Sequence, residues 1–414
     1  MNIKIKFSIT GKKYLCLAAW LTLTFLPLSA VSKVEGDTIT LGAAISLTGK
    51  YATNGKHTKN GYDLGMKIIN DSGGIKVGKK TYKLAIKYYD DESTPARGVQ
   101  LAERLINQDG IRFLLGPYGS GLTKAMAPIT EKYKVPMVEA NGASLSLFNN
   151  GYRYLFAILS TTEQYLQTAV SLIADTTGKP EKIRIAGAFE NDPFSQDIRN
   201  GVFDDAKRLG MKMVIDDKLP PDLNDMSATL TKVKALRPDL LVVSGHAKGA
   251  ALAIRQISDM KVNVPMLALT HCDSADIIGK FGKAAEYALC ASQWDRSLAY
   301  KDQFFGSAEN FAQRFEKNFG YTPPYQAAES AAALLVYKDA LERAGSFETE
   351  QVRDAIAATD MQTFYGNIKF DATGKNIAKP MVLYQVQDGQ YKVVAPTKWA
   401  ASQLRWPTPP WHQR

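Results

Sequence analysis

Short apolar runs that end in clusters of small polar residues, each followed by a segment of helical length, recur along this chain and constrain its fold more than any other feature. The clearest case is residues 111–148, IRFLLGPYGSGLTKAMAPITEKYKVPMVEANGASLSLF. Residues 111–115 and 135–138 are brief, β-rich and one helix apart, so both read as buried strands of a parallel sheet. The first empties into GPYGSGLT and the second into EANGAS. In a βαβ unit both loops emerge at the carboxyl edge of the sheet, where ligands of open α/β folds sit. Ser120, Gly121, Leu122 and Thr123 can start the intervening helix, whose free N–H groups suit an anionic or carbonyl oxygen.

The same pattern extends in both directions. Residues 38–47 form a strand candidate, residues 61–70 are spaced as an amphipathic helix, residues 82–89 alternate as a strand, and a helix follows over 95–108. A second series opens at 154–158 and continues with strands at 182–188, 211–216, 240–243 and 265–268. Their exit loops, FENDPFSQD, SGHAKGAA and LTHCDSAD, again carry small and polar residues. The expected fold is α/β: two doubly wound parallel-sheet lobes joined by a hinge, with a ligand cleft between them. A chain of 414 residues, 45% hydrophobic, can bury two such cores. The expected division is residues 37–157 with 291–325 in the first lobe and 158–290 with 326–395 in the second. A crossing between lobes near 288–293 places Trp294 at the cleft. Residues 363–370 and 381–387 read as an antiparallel pair at a sheet edge. Residues 396–414, with four prolines and three tryptophans, read as a surface tail.

The first 30 residues carry four lysines, then an apolar run and small residues at Ser29 and Ala30, the pattern of a secretory signal peptide cut near Ala30. Cys16 lies inside that run and reads as an apolar filler. An exported chain retaining Cys272 and Cys290, 18 residues apart, can carry one disulfide; two buried free thiols are the alternative. Without the leader, 47 basic residues face 41 acidic ones, dispersed among one another, so nucleic acid is not an expected partner. The histidines His57, His246, His271 and His412 are widely spread, Ser120 and Ser244 do not sit in G-x-S-x-G, and no zinc-type spacing is present. Neither G-x-G-x-x-G nor G-x-x-x-x-G-K-[ST] occurs. Catalysis, metal and cofactor are therefore not expected. A reversible small-molecule binder is, with strand-end hydroxyls and helix N–H groups orienting the polar end of a ligand and aromatic residues covering the rest.

From about residue 37 to 390 the sequence resembles the type I periplasmic solute-binding proteins, the leucine/isoleucine/valine-binding-protein-like receptors of ABC importers. The resemblance is carried by ITLGAAISLTGKYATNGKHTKNGYDLGMKIINDSGGI, KYYDDESTPARGVQLAERLI, LLGPYGSGLTKAMAPITEKYKVPMVEA and LRPDLLVVSGHAKGAALAIRQ. It implies a periplasmic, monomeric receptor that hands its ligand to a membrane permease. A sensory module of the same fold is the alternative reading. It further implies that Ser120 and the N–H groups near Gly121 serve the carboxylate side of a ligand and that Phe194 covers it from the second lobe, while Tyr118 points either outward or into the cleft. Asn141-Gly142 stands where the family carries Ala-Thr, His246 where it carries a tyrosine, and Thr270, with His271 beside it, where it carries the acid that holds an ammonium. Those departures imply an aromatic or otherwise apolar carboxylate lacking an α-ammonium, lined by Ser120, Asn141, His246, Phe194 and Trp294. An amino acid, amide or urea is the alternative. Asn54 and Tyr165 are secondary contacts.

Overall fold

The computed structural model describes residues 34–414, so the leader and Cys16 lie outside the described residues. Two seven-stranded sheets organise the chain. In the first, strands run in the order Ile75–Val77, Lys80–Asp90, Thr38–Ile45, Leu114–Leu115, Met137–Glu139, Leu155–Ala157, with Val34–Glu35 added alongside Thr38–Ile45. All pairings are parallel except those made by the two short edge strands, Val34–Glu35 and Ile75–Val77. The second sheet runs Gln390–Ala395, Val382–Gln387, Leu289–Ser292, Met266–Thr270, Leu240–Ser244, Arg184–Glu190, Lys212–Leu219. Its last five strands are parallel, and the first two join antiparallel at one edge. Leu240–Ser244 is buried at every position, as expected of a parallel strand covered on both faces.

The division of the chain differs from the expected one in its returning segments. The helix Tyr325–Ala344 belongs to the first lobe, where it packs along the helix Ala52–Asp71. Small residues make this approach close: a Cβ on Gly61 would lie 2.2 Å from the Ala327 carbonyl oxygen, and one on Gly65 would lie 3.0 Å from that of Ala331. Tyr337 then reaches under the first sheet, its hydroxyl 2.6 Å from the Leu114 carbonyl oxygen and 2.9 Å from that of Pro136. Only residues 382–395 return to the second sheet. Strand Asn367–Lys369 pairs with Asp360–Gln362, and Val382–Gln387 pairs with Leu289–Ser292 and Gln390–Ala395. The expected pairing of 363–370 with 381–387 is therefore absent among the described residues. The tail lies on the second lobe, where the Trp411 indole N–H donates to the Val262 carbonyl at 2.8 Å and Gln385 and Arg405 exchange hydrogen bonds.

The chain passes between the lobes three times: after Leu155–Ala157, at Gln293, and over residues 376–381. Gln293 ties these crossings together. Its Oε1 accepts the Ser160 N–H at 3.0 Å and its Nε2 donates to the Ser160 carbonyl at 2.8 Å. The Lys379 ammonium donates to the Gln293 carbonyl, and the Ser160 hydroxyl donates to the Lys379 carbonyl at 2.6 Å. Trp294, expected at the cleft, is instead turned into the first lobe. Its indole N–H donates to the Phe364 carbonyl at 3.2 Å, and its ring packs edge-on against Phe311 and Phe364.

Cys272 and Cys290 are disulfide-bonded across a separation of 18 residues. Closing a loop of that size removes about 3 kcal/mol of freedom from the unfolded chain. The double substitution Cys272→Ser, Cys290→Ser is therefore expected to lower unfolding free energy by about 3 kcal/mol in urea titration, with the m-value little changed. A loss below about 0.5 kcal/mol would contradict this account.

Candidate functional site

The carboxyl ends of both sheets face one another, and their loops meet. On the first lobe Gly119, at φ +89°, turns the chain into the helix Ser120–Tyr133. That backbone angle is what calls for glycine; the His246 ring packs nearby, its Cε1 3.9 Å from where a Cβ would stand, an ordinary contact distance. The Ser120 hydroxyl accepts the Ser144 N–H at 3.0 Å and so holds the second loop against the first. Gly142 is obligatory at its position, since a Cβ would come within 2.4 Å of the Thr123 hydroxyl oxygen. On the second lobe Asp192 caps the helix Pro193–Arg208 by accepting the Ser195 N–H at 2.7 Å, which fixes Phe194 in the first turn. Thr270 uses its hydroxyl within its own lobe, donating to the Gly245 carbonyl at 2.7 Å.

Tyr118 of the first lobe reaches two histidines of the second: its hydroxyl is 2.8 Å from His246 Nδ1 and 3.0 Å from His271 Nε2. The protons in this chain of contacts are fixed by its ends. His271 Nδ1 lies 2.9 Å from the Gly245 carbonyl, which can only accept, so Nδ1 carries the proton and Nε2 accepts the Tyr118 O–H. Having given its proton to His271, Tyr118 can only accept from His246 Nδ1. His246 Nε2 in turn donates to Asp192 Oδ2 at 2.6 Å. His246 therefore holds both protons, as an imidazolium paired with the Asp192 carboxylate.

The electrostatics agree. Burial pushes the His246 pKa down, but the charge and hydrogen bond of Asp192 outweigh it and leave it above 6.5. Burial pushes Asp192 up, but His246 outweighs it and leaves its carboxyl below 3.8. Burial, with the adjacent His246 charge, lowers His271 to about 3. Lys50 of the first lobe adds a cation 3.9 Å from Glu190 and donates to the Pro221 carbonyl at 3.4 Å. Glu190, Asp192 and His246 each bring a ligand-type atom within 4.8 Å of the others, but the His246 N–H and the Lys50 ammonium already neutralise the carboxylates, so the group reads as a charge network.

Aromatic rings enclose this network. Phe194 lies 5.1 Å from both Tyr165 and His271, and Tyr51 packs 4.6 Å from His246. A second interlobe tie joins Asp197 to the Ser144 hydroxyl and, at 3.0 Å, to the Ser146 N–H. The structure thus brings together Tyr118, Ser120, Gly121, Phe194, His246, Thr270 and His271, with Asn141 and Gly142 behind them, and leaves out Trp294. Sequence reasoning missed Asp192 and Asp197, which lie in the FENDPFSQD segment, and Tyr51, which precedes the helix Ala52–Asp71. It also missed Gln326 and Glu329 on the helix Tyr325–Ala344. Asn141 Nδ2 donates to the Ser330 hydroxyl at 3.0 Å, which places Asn141 beside these two polar residues of an otherwise alanine-rich helix.

The proton assignments set the pH response. The His246 contribution to stability is complete below about pH 6.5 and is lost as pH rises through its elevated folded value. The Asp192 contribution is present above about pH 3.8 and is lost as pH falls through its depressed folded value. His271 acts oppositely, draining stability as pH falls from 6.5 towards about 3. In NMR titration His246 is expected to deprotonate above pH 6.5 and His271 to remain neutral down to about pH 3, with Asp192→Asn moving His246 downward. A His246 that titrates below 6.5 in the native protein would refute the proton order.

Comparison with known proteins places this geometry. The periplasmic binding protein family model matches residues 38–390. The "Leu/Ile/Val-binding protein BraC3" of Rhizobium johnstonii is 25% identical over 383 residues, covering 91% of this chain and 98% of the relative. The isoleucine complex of the substrate-binding protein LivJ from Streptococcus pneumoniae superposes with a TM-score of 0.76 at 20% identity, covering 87% of this chain and 100% of that one. A solute-binding protein of R. palustris in complex with benzoate gives 0.74 at 17% identity, covering 86% and 95%. Its two lobes and their three crossings are the type I periplasmic-binding-protein fold, and the chain belongs to the periplasmic binding protein family as a non-catalytic receptor for a small solute, of the branched-chain amino-acid-binding-protein-like kind.

Proposed function

We propose that the chain is the extracytoplasmic receptor of an ABC importer, exported by a leader cut near Ala30, and that it closes around an amino-acid or amide-type solute and presents the closed form to a membrane permease. The observation that carries this reading is the interlobe contact of Tyr118 with His246 and His271. Lobe closure forms both bonds at the mouths of the strand-end loops, so a solute that favours closure shifts the population toward the form a permease can recognise.

The argument from sequence for a carboxylate without an ammonium rested on Thr270 and His246 standing where a charged partner was expected. Glu329 weakens that premise by offering another candidate partner on the first lobe, a buried carboxyl that accepts from the Tyr365 hydroxyl. The likeness to Leu/Ile/Val-binding proteins supports the same class. A second reading, an aromatic carboxylate, draws on the rings of Phe194, Tyr165 and His271 and on the His246 cation, and the benzoate-bound relative is consistent with it.

Calorimetric titration against amino acids, primary amides, urea, aliphatic acids and benzoates is expected to give tight binding by solutes bearing N–H donors. Tight binding by carboxylates alone would select the second reading. Transport that depends on both this chain and a membrane permease separates import from a sensory role.

A further inference from the structure

We infer that Asn141, Gln326 and Glu329 form a subsite on the hinge side of the cleft that holds the ammonium of an amino-acid ligand or the N–H groups of a primary amide. The inference rests on the amino-acid or amide reading above and deepens it.

Gln326 and Glu329 are each 1% exposed and Asn141 is 7% exposed, yet Asn141 Oδ1, both amide atoms of Gln326 and Glu329 Oε1 have no hydrogen-bond partner among the described residues. A buried polar atom left unpaired is costly, so a cluster of such atoms is a place where a partner can be supplied from outside the fold. They lie together. Gln326, Glu329 and Ser330 share one face of a single helical turn, and Asn141 is bonded to Ser330. The orientation of Asn141 is fixed, since the Ser330 hydroxyl donates its proton to the Gln326 carbonyl at 2.7 Å and can only accept from the Asn141 amide. The free Asn141 atom is therefore the carbonyl oxygen.

The unpartnered set comprises three acceptors, Asn141 Oδ1, Gln326 Oε1 and Glu329 Oε1, and one donor, Gln326 Nε2. An ammonium offers three donors and no acceptor, and a primary amide offers two donors and one acceptor. A carboxylate offers acceptors only and would face three more. Burial raises the Glu329 pKa well above the usual carboxyl range, so its charged form lacks a partner that an arriving ammonium would supply. Of three buried carboxyls here, Glu139 accepts from the Asn141 N–H and the Thr123 hydroxyl, and Asp273 accepts from the Tyr325 and Ser274 N–H groups. Glu329 accepts only from Tyr365, at 3.1 Å, and keeps one oxygen for a ligand. Lys379, the buried cation nearby, points its ammonium at the Gln293 carbonyl and the Tyr365 ring.

The test is calorimetry with L-leucine, L-phenylalanine, their des-amino counterparts 4-methylpentanoate and 3-phenylpropanoate, and 3-phenylpropanamide. The amino acids or the amide are expected to bind at least tenfold more tightly than the des-amino acids. Glu329→Gln is expected to erase at least tenfold of the amino-acid affinity and leave the des-amino acids within twofold. Gln326→Leu, which removes no bond within the protein, is expected to weaken both the amino acids and the amide at least fivefold. Circular dichroism of each variant reports that the fold is retained. Amino-acid binding unchanged in both variants would overturn the subsite and leave the receptor reading standing. Tight binding by the des-amino acids alone would overturn the subsite in favour of the carboxylate reading, and binding by none of the five would sink the subsite and the amino-acid reading together.

Discussion

The three crossings between the lobes are bonded to one another, and one side-chain amide makes two of those bonds. Gln293 lies on one of the three strands that cross between the lobes, grips a second through both backbone groups of Ser160, and has its own carbonyl gripped by Lys379 of the third. A hinge made of three separate strands would expose backbone N–H and C=O groups at a point where the surrounding core excludes water. Here those groups are paired with one another, so the lobes can pivot while the crossings remain bonded. The same arrangement explains why the first lobe recruits the long helix Tyr325–Ala344: after the second crossing the chain has returned to the first sheet, and only the third crossing carries it back.

The closed cleft adds a second ordered network of different character. At the hinge the polar groups are mutually satisfied, while at the cleft mouth a chain of hydrogen bonds starts at the His246 imidazolium, which donates to Asp192 on one side and to Tyr118 on the other, and continues through His271 to the Gly245 carbonyl. Its middle member lies on one lobe and its ends on the other. Closure therefore selects one protonation pattern, and the charge it needs is neutralised by Asp192 at the N-terminus of a helix where an anion is favoured. The two networks flank a region in which polar atoms of Asn141, Gln326 and Glu329 lack partners among the described residues.

Much of the architecture was legible in the sequence because it follows from period and length. Strands such as Leu240–Ser244 are short uninterrupted apolar runs, and the glycine and hydroxyl clusters after them mark the carboxyl edge of the sheet. Tyr118, Phe194, His246 and His271 fall in those loops and do meet. What could not be read was which sheet a returning segment joins. The helix Tyr325–Ala344 has no polar stripe facing solvent, because it is buried nearly all round, and its attachment is decided by the fit of Ala327 and Ala331 to Gly61 and Gly65 across the lobe. Trp294 was misplaced for a related reason: proximity to the crossing fixes its backbone, whereas the cluster of Phe311 and Phe364 decides where the ring turns. Gln326, Glu329 and Ser330 at helical spacing within an alanine-rich segment were a visible signal, since polar residues on a helix fully buried in a core require a reason.

The disulfide has a consequence beyond stability. Cys272 directly follows His271, whose backbone is held at φ +61°, and Cys290 lies three residues before Gln293. The covalent bond therefore joins the wall of the cleft to the strand that enters the hinge. In a reducing compartment that link would be open, and His271 would be held by its hydrogen bonds and ring contacts without the covalent tie. In an oxidising compartment the loop that carries His271 is covalently one piece with the strand that enters the pivot, so a rotation at the hinge is transmitted to that loop through a bond that does not stretch.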